Sequence, residues 1–113
     1  MLFPIDWPEP FGLVLIEAMA NGTPVIAFGR GSVPEIIDHG VTGFVVDNVD
    51  EAVAAIPLAR ALDRIVIRRR FEVRFSVERM ARDYVSLYGE VLRCGAVDAV
   101  LSCAATVQAA NAA

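Results

Sequence analysis

A chain of 113 residues is long enough for one domain of ordinary size and no more. Its hydrophobic content of 56% and its mean hydropathy of +0.52 are high, so we expect either extensive burial or surfaces that meet other parts of a protein. The net charge of −4 and the pI of about 4.8 exclude a general electrostatic attraction to nucleic acid.

From the sequence we expect neither a signal peptide nor a disulfide scaffold. Met1 to Pro4 has neither a basic region nor a long apolar run, so no signal peptide is predicted. Cys94 and Cys103 lack the spacing of metal ligands or of a redox pair, and they indicate a reducing compartment instead of a disulfide scaffold. We therefore expect a cytoplasmic protein, with peripheral contact at the inner face of the membrane as an alternative.

The first predicted element is a loop from Leu2 to Glu9, because Pro4 and Pro8 disfavour regular structure. Trp7 in this loop is interpreted as a packing residue, although aromatic side chains also line ligand clefts. Pro10 suits the first turn of a following helix, since its missing N–H would have no helical partner there.

Leu13 to Ala20 is a predicted helix in which Glu17 is the only polar residue. A helix without a polar face belongs in an interior, and an ionised carboxylate there needs a partner. Asn21-Gly22 ends the helix, because glycine accepts the left-handed conformation.

The start of this helix has the features of an anion site. The backbone N–H groups of Phe11, Gly12 and Leu13 are expected to point out of the helix end, where the macrodipole is positive. A phosphate bound there would have Glu9 in front and Glu17 about two turns along. Carboxylates accept hydrogen bonds from hydroxyl pairs, so a sugar nucleotide fits this arrangement.

Pro24 to Phe28 and Phe44 to Val46 are short apolar runs that predict strands. The first is typical of a strand that is covered on both faces in a parallel sheet. Because helices are predicted between and after these strands, the sequence indicates an α/β chain with parallel strands.

The segment Gly29 to Pro34 follows a strand and must be compared with a dinucleotide-binding fingerprint. Two glycines fit, but Pro34 stands where the third glycine belongs. Ser32 with Glu35 is instead interpreted as a capping box. Gly29, Arg30 and Gly31 remain candidates for lining a ligand cleft, since ligands gather outside the carboxyl ends of strands.

His39 is the only histidine and is interpreted as structural or solvated. Asn48 with Glu51 forms another capping signature. The helix that follows is predicted over Val49–Leu62, and Pro57 should kink or split it. Its candidates for burial are Val49, Val53, Ile56 and Leu62.

Arginines dominate the segment from Asp63 to Phe75. The simpler interpretation is a solvated helix face, and an anionic membrane surface or phosphate is the alternative partner. Ser76 is a good N-cap for the next helix, which is predicted to extend to about Leu92 with apolar residues at helical spacing.

Glu9-x7-Glu17, within Glu-Pro-Phe-Gly-Leu-x-x-x-Glu-Ala-Met-Ala-x-Gly-x-Pro-Val-Ile-Ala, resembles the donor-binding motif of GT-B glycosyltransferases of family 4, or glycosyltransferase group 1. Gly31–Val46 is similar to the next block of that family, and Arg70–Tyr88 to its C-terminal helix. The three blocks occur in the family's order, which makes the resemblance specific.

The resemblance implies a partial Rossmann-like domain, the C-terminal half of a GT-B fold, at residues 1–92. Residues 93–113 are expected to form an Ala-rich tail that is disordered or a frayed helix. The implied reaction transfers a sugar, with retention, from a nucleotide sugar such as a UDP-, GDP- or ADP-sugar to an acceptor hydroxyl.

The resemblance also implies roles for the site residues. Glu9 would contact the transferred sugar as the catalytic residue, and Glu17 would bind the ribose hydroxyls. Gly12 and Leu13 would offer backbone N–H groups near the phosphates. No cofactor and no bound metal are implied.

Such enzymes have a second, N-terminal Rossmann-like domain that brings the acceptor site, and the resemblance does not extend to it. We therefore expect this chain to need the N-terminal GT-B domain or another chain that supplies it. Two alternatives remain open: a nicotinamide-dinucleotide binding module that uses Gly29 and Gly31, and an inactive truncated remnant.

Overall fold

The computed structural model describes residues 1–94, except for the side chain of Cys94. Residues Met1–Phe75 form one compact unit, and a second unit begins at Ser76. The predicted Ala-rich tail lies outside the described residues apart from Arg93 and Cys94. The elements are β1 Leu2–Phe3, α1 Leu13–Ala20, β2 Val25–Phe28, α2 Val33–Ile36, β3 Gly43–Val46, α3 Val49–Ala61, α4 Arg64–Phe75 and α5 Val77–Cys94.

Within residues 1–94, three short parallel strands form a sheet in the order β1-β2-β3. Leu2 pairs with Ile26, and Val25 pairs with Gly43. This arrangement confirms the α/β class with short parallel strands and a partial Rossmann-like fold. The loop predicted at Leu2 was wrong, because Pro4 follows the two-residue strand and its missing N–H interrupts no sheet hydrogen bond.

The central strand β2 is covered on both faces, as predicted. Val25 and Ala27 are buried in one cluster with residues of α1, α2 and α4. Ile26 faces the other way and packs with Val46 and with Ala55 and Ala59 of α3. Because successive side chains of a strand point to opposite faces, a single four-residue strand organises both clusters.

Helix α1 lies on the sheet with one face exposed, so the expectation of a fully internal helix was wrong. Leu15, Ala18 and Met19 are buried and occupy one side of the helix, as their spacing requires. Leu13 and Val14 are about half exposed, at 56% and 49%. Apolar side chains therefore occupy two faces of α1, and only one of these faces packs on the sheet.

Helix α3 approaches the sheet through small residues, which corrects the predicted core. Ala55 and Ala59 are buried, whereas Val53 and Ile56 are exposed, as is Val49. The alanines let the helix backbone lie close to β2 and β3, which turns the larger side chains outward. Pro57 does not split the helix, which continues from Val49 to Ala61.

The predicted cap of α3 is confirmed. The Asn48 side chain accepts a hydrogen bond from the Glu51 N–H at 2.9 Å. The Glu51 carboxylate accepts one from the Asp47 N–H at 2.9 Å and one from the Asn48 side chain at 2.7 Å. The bond to Asn48 satisfies the Glu51 N–H, one of the backbone donors that a helix start leaves open, and the bonds to Glu51 hold the two residues that precede the helix.

Helix α4 packs against α1 and holds the carboxyl ends of two helices. Its Ile67 is fully buried, and its Arg68 donates to the Ala20 carbonyl at the end of α1. Arg74 donates to the Ile36 carbonyl at 3.3 Å, at the end of α2, and to the Asp38 carboxylate at 2.8 Å. The solvated helix face predicted for the arginines therefore describes only part of α4.

Helix α5 belongs to the second unit. It runs from Val77 to Cys94, and the predicted cap is confirmed because Ser76 Oγ accepts a hydrogen bond from the Arg79 N–H at 3.3 Å. Its apolar side chains recur at helical spacing, and several of them, including Met80 and Tyr84, are exposed. None of the helices in the described part of the chain is long and apolar enough to cross a membrane.

Gly43 gives a test of the contact between β2 and β3. A Cβ atom at this position would overlap the Val25 carbonyl oxygen and lie 2.9 Å from the carbonyl carbon. Since a strand backbone cannot move aside locally, we expect Gly43→Ala to lower the free energy of unfolding by about 1–3 kcal/mol in urea unfolding. Gly89→Ala within α5 is the control and should lose no stability, because a Cβ atom there would meet only the Arg93 guanidinium, at an ordinary contact distance of 3.9 Å.

A substitution of Arg74 tests whether α4 stabilises the carboxyl end of α2. Its side chain is 18% exposed and serves two carbonyls and Asp38, so we expect Arg74→Gln to lower the free energy of unfolding by about 1.5–3 kcal/mol. Arg70 is the matched control, since it is half exposed and lies 3.6 Å from the same carboxylate. Arg70→Gln should change stability by less than about 1 kcal/mol, and equal losses in the two variants would contradict the assignment.

Candidate functional site

Two loops meet at the carboxyl ends of β1 and β2. The first is the segment between β1 and α1, which contains Glu9, and the second is the turn between β2 and α2. The Ser32 N–H donates a hydrogen bond to the Glu9 carbonyl at 2.8 Å and joins the two loops. In open α/β sheets, ligands bind at this edge, so the predicted site residues lie where the fold places a binding cleft.

Gly31 allows the two loops to approach. Its φ of +57° lies in the left-handed region that favours glycine. A Cβ atom on Gly31 would overlap the backbone nitrogen and oxygen of Glu9 and lie 2.8 Å from its carbonyl carbon. Any other residue here would push the Glu9 loop away from the turn.

The Glu9 carboxylate caps the start of α1. Its Oε1 accepts hydrogen bonds from the Gly12 N–H at 3.0 Å and from the Phe11 N–H at 3.5 Å. The prediction that these two N–H groups are free was therefore wrong, because a carboxylate is favoured at the positive end of a helix. No hydrogen bond to a residue in 1–94 occupies the second oxygen, Oε2.

Helix α1 begins later than the sequence predicted. Gly12 is the N-cap, with a left-handed φ of +76°, and Leu13 is the first helical residue. Pro10 was expected in the first turn, but the left-handed residue separates it from the helix. The N–H groups of Leu13 and Val14 have no acceptor among the described residues, so they are the open donors at this helix end.

Ser32 is not the cap that the sequence predicted. Its backbone is already helical and its side chain makes no capping bond to α2, because a capping side chain needs an extended backbone at this position. Ser32 Oγ is instead buried without a hydrogen-bond partner in the described structure. It lies 3.2 Å from the position that a Gly12 Cβ would take, so it borders the same cleft.

Glu17 lies on the exposed side of α1, one turn after Leu13 and about 6 Å further along the axis. The expectation of an interior carboxylate with a partner was wrong, since this side of the helix does not pack on the sheet. Within residues 1–94, the Glu17 carboxylate makes no hydrogen bond or ion pair. It is therefore available to a ligand that runs along α1 from the open N–H groups.

Two aromatic residues flank this region. Trp7 is 58% exposed, so its interpretation as a packing residue was wrong, and Phe11 is 62% exposed. In the sequence, the one indication that these two residues border the site is their position two residues before and two residues after Glu9. Both offer flat apolar surface next to the open end of α1.

The remaining candidate residues lie elsewhere. His39 Nδ1 accepts a hydrogen bond from the Val45 N–H at 3.3 Å, and the ring lies edge-on to Phe44 at 5.2 Å, so the predicted structural role is confirmed. Across residues 1–94, no group of three His, Cys, Asp or Glu side chains is arranged to hold a metal ion.

Comparisons with known proteins show which proteins this chain is similar to. The chain is 36% identical over 93 residues to N-acetyl-alpha-D-glucosaminyl L-malate synthase of Bacillus anthracis, which covers 75% of this chain and 24% of the relative. It is 38% identical over 97 residues to D-inositol 3-phosphate glycosyltransferase of Corynebacterium kroppenstedtii, covering 80% of this chain and 22% of the relative. It is also 40% identical over 74 residues to sucrose synthase of Acidithiobacillus caldus, covering 66% of this chain and 9% of the relative.

The chain thus spans about a quarter or less of the length of these relatives. The family model of glycosyl transferases group 1 matches residues 1–74, which include both loops of the candidate site and both motif glutamates. Because this match covers more than half of the chain, the chain belongs to the glycosyl transferases group 1 family.

Proposed function

We propose that this chain supplies the donor-binding part of a retaining glycosyltransferase, which moves a sugar from a nucleotide sugar to an acceptor hydroxyl. One observation carries the proposal: the open N–H groups of Leu13 and Val14 and the unpaired Glu17 carboxylate share one helix. A phosphate at the helix start and hydroxyls one turn along match the two ends of a nucleoside diphosphate.

The geometry suggests a separate role for each group. Leu13 and Val14 would donate to phosphate oxygens, and Glu17 would accept from the ribose hydroxyls. Gly12 would keep the helix start clear of side chains, and its own N–H would join the phosphate contacts only when Glu9 releases it. The N–H groups proposed to bind phosphate are therefore those of Leu13 and Val14, one residue later than the pair Gly12 and Leu13 that the family resemblance implies.

Glu9 would contact the transferred sugar through Oε2 while Oε1 keeps its bond to Gly12. A carboxylate that is already held by the backbone needs little reorganisation when charge develops on the sugar. This chain offers no residue that we assign as a general base or nucleophile. The acceptor site would come from an N-terminal GT-B domain or from another chain, and the proposed location is the cytoplasm.

The alternative nicotinamide-dinucleotide module gains no support from the turn at Gly31. In such a module, the glycine would leave room for a pyrophosphate. Here the Glu9 backbone already fills that room.

The proposal is tested by adding UDP, GDP, ADP and NAD separately to the chain and following the backbone amide signals by two-dimensional NMR. We expect dispersed signals and shifts at Gly12, Leu13 and Val14 with one nucleoside diphosphate. Shifts with NAD alone would favour the dinucleotide module. Undispersed signals would favour the inactive remnant.

Glu17→Gln tests the ribose contact. Loss of the charged acceptor should weaken the bound nucleoside diphosphate about tenfold or more, measured by the same titration. Glu35→Gln removes an exposed carboxylate of α2 and is the matched control, so it should leave the affinity unchanged. Equal affinities of the two variants would show that Glu17 does not bind the ribose.

A further inference from the structure

The cationic side chains of the unit Met1–Phe75 are unevenly placed around its sheet. The unit has no lysine, and of its seven arginines only Arg30 follows the carboxyl end of a strand. Arg60 lies in the last turn of α3 and borders the same surface cavity as Met1 and Pro24, which precede β1 and β2. The other five arginines lie on α4, which bonds the carbonyls that end α1 and α2. Arg30 is therefore the arginine of this unit that shares an edge of the sheet with the candidate site.

The side chain of Arg30 is not engaged by the fold. It is exposed, and it forms no ion pair or hydrogen bond with any residue in 1–94. Carboxylates lie in the neighbouring loops, Glu9 after β1 and Asp47 after β3, and neither pairs with it. Its guanidinium is therefore available to a ligand.

The backbone of Arg30 lies close to the start of α1. A Cβ atom on Gly31, the next residue, would lie 2.8 Å from the Glu9 carbonyl carbon, and Ser32 Oγ is 3.2 Å from the position of a Gly12 Cβ. Because consecutive Cα atoms are about 3.8 Å apart, the Cα atom of Arg30 lies within about 8 Å of the Glu9 carbonyl. An arginine side chain is long enough to cover most of that distance.

The donor binding proposed above brings negative charge to an acidic site. A nucleoside diphosphate carries its charge on the phosphates, and Glu9 and Glu17 lie in front of and one turn beyond the open N–H groups. The helix macrodipole offers only about half a positive charge. Since like charges at short distance repel, binding is stronger with a cation beside the phosphates. A guanidinium suits this role because it donates two parallel hydrogen bonds to phosphate oxygens.

Resting on the proposed function, we propose that Arg30 binds the diphosphate of the nucleotide donor. Its guanidinium donates to phosphate oxygens from the turn between β2 and α2. The N–H groups of Leu13 and Val14 donate to the same diphosphate from the start of α1. The turn that Gly31 brings against the Glu9 backbone thereby supplies the positive charge of the site.

The test is a titration of the chain and its variants with UDP, GDP and ADP at low and at high salt. Arg30→Gln should weaken the nucleoside diphosphate that binds by about tenfold at low salt. The loss should shrink at high salt, because ions screen an exposed pair. Arg60→Gln removes an exposed arginine without an ion pair in residues 1–94 and is the matched control, so it should leave the affinity unchanged.

A second variant separates charge from structure. Arg30→Lys keeps the positive charge and should retain most of the affinity, with amide NMR signals that remain dispersed in every variant. A loss in Arg30→Gln that is the same at all salt concentrations would assign Arg30 a structural role and overturn the proposal. Equal affinities of Arg30→Gln and Arg60→Gln would also overturn it, while the proposed donor binding would stand.

Two further outcomes identify what else could be wrong. Binding that needs added Mg²⁺ and ignores Arg30→Gln would overturn the proposal and assign the compensating charge to a metal ion. If the unmodified chain bound none of the three diphosphates, the proposed function would fail and this inference with it.

Discussion

The backbone of Glu9 lies against Gly31 without room for a Cβ atom, and the candidate site depends on this contact. It joins the loop before α1 to the turn after β2, and the hydrogen bond from the Ser32 N–H to the Glu9 carbonyl fixes their separation. The Glu9 carboxylate then holds Gly12, which sets where α1 begins. The position of the open N–H groups is thus a consequence of backbone packing between two loops.

The opposite edge of the sheet is held by different chemistry. There, Arg68 and Arg74 of α4 bond the carbonyls that end α1 and α2, and cations are favoured at helix carboxyl ends. The two arginines are six residues apart, or about 9 Å along the helix, so one helix reaches both ends. Arg69 lies between them in sequence, on the side of α4 that faces away from the core, and it does not bond either helix end.

The sequence predicted the features that depend on local pattern. The buried strand β2, the Asn48 cap and the order of strands and helices follow from apolar runs, turn residues and capping residues, and the family resemblance places both glutamates. What it missed depends on contacts between distant segments. How closely each helix approaches the sheet decides three features: the exposed face of α1, the alanine contact of α3 and the Ser32 side chain that makes no capping bond. Periodicity alone does not encode that distance.

The two motif glutamates differ in how far folding constrains them. Glu9 contributes a carbonyl, a backbone close to Gly31 and one carboxylate oxygen to the local structure, so its substitution alters the helix start together with any ligand contact. Glu17 has an exposed carboxylate without a partner in the described residues, and it sits on a helix face that folding leaves open. An exposed carboxylate is ordinary at a protein surface and adds little to packing, so substituting Glu17 should leave the fold intact. A substitution of Glu17 therefore tests the proposed ligand contact alone, whereas a substitution of Glu9 tests the proposed contact and the helix start together.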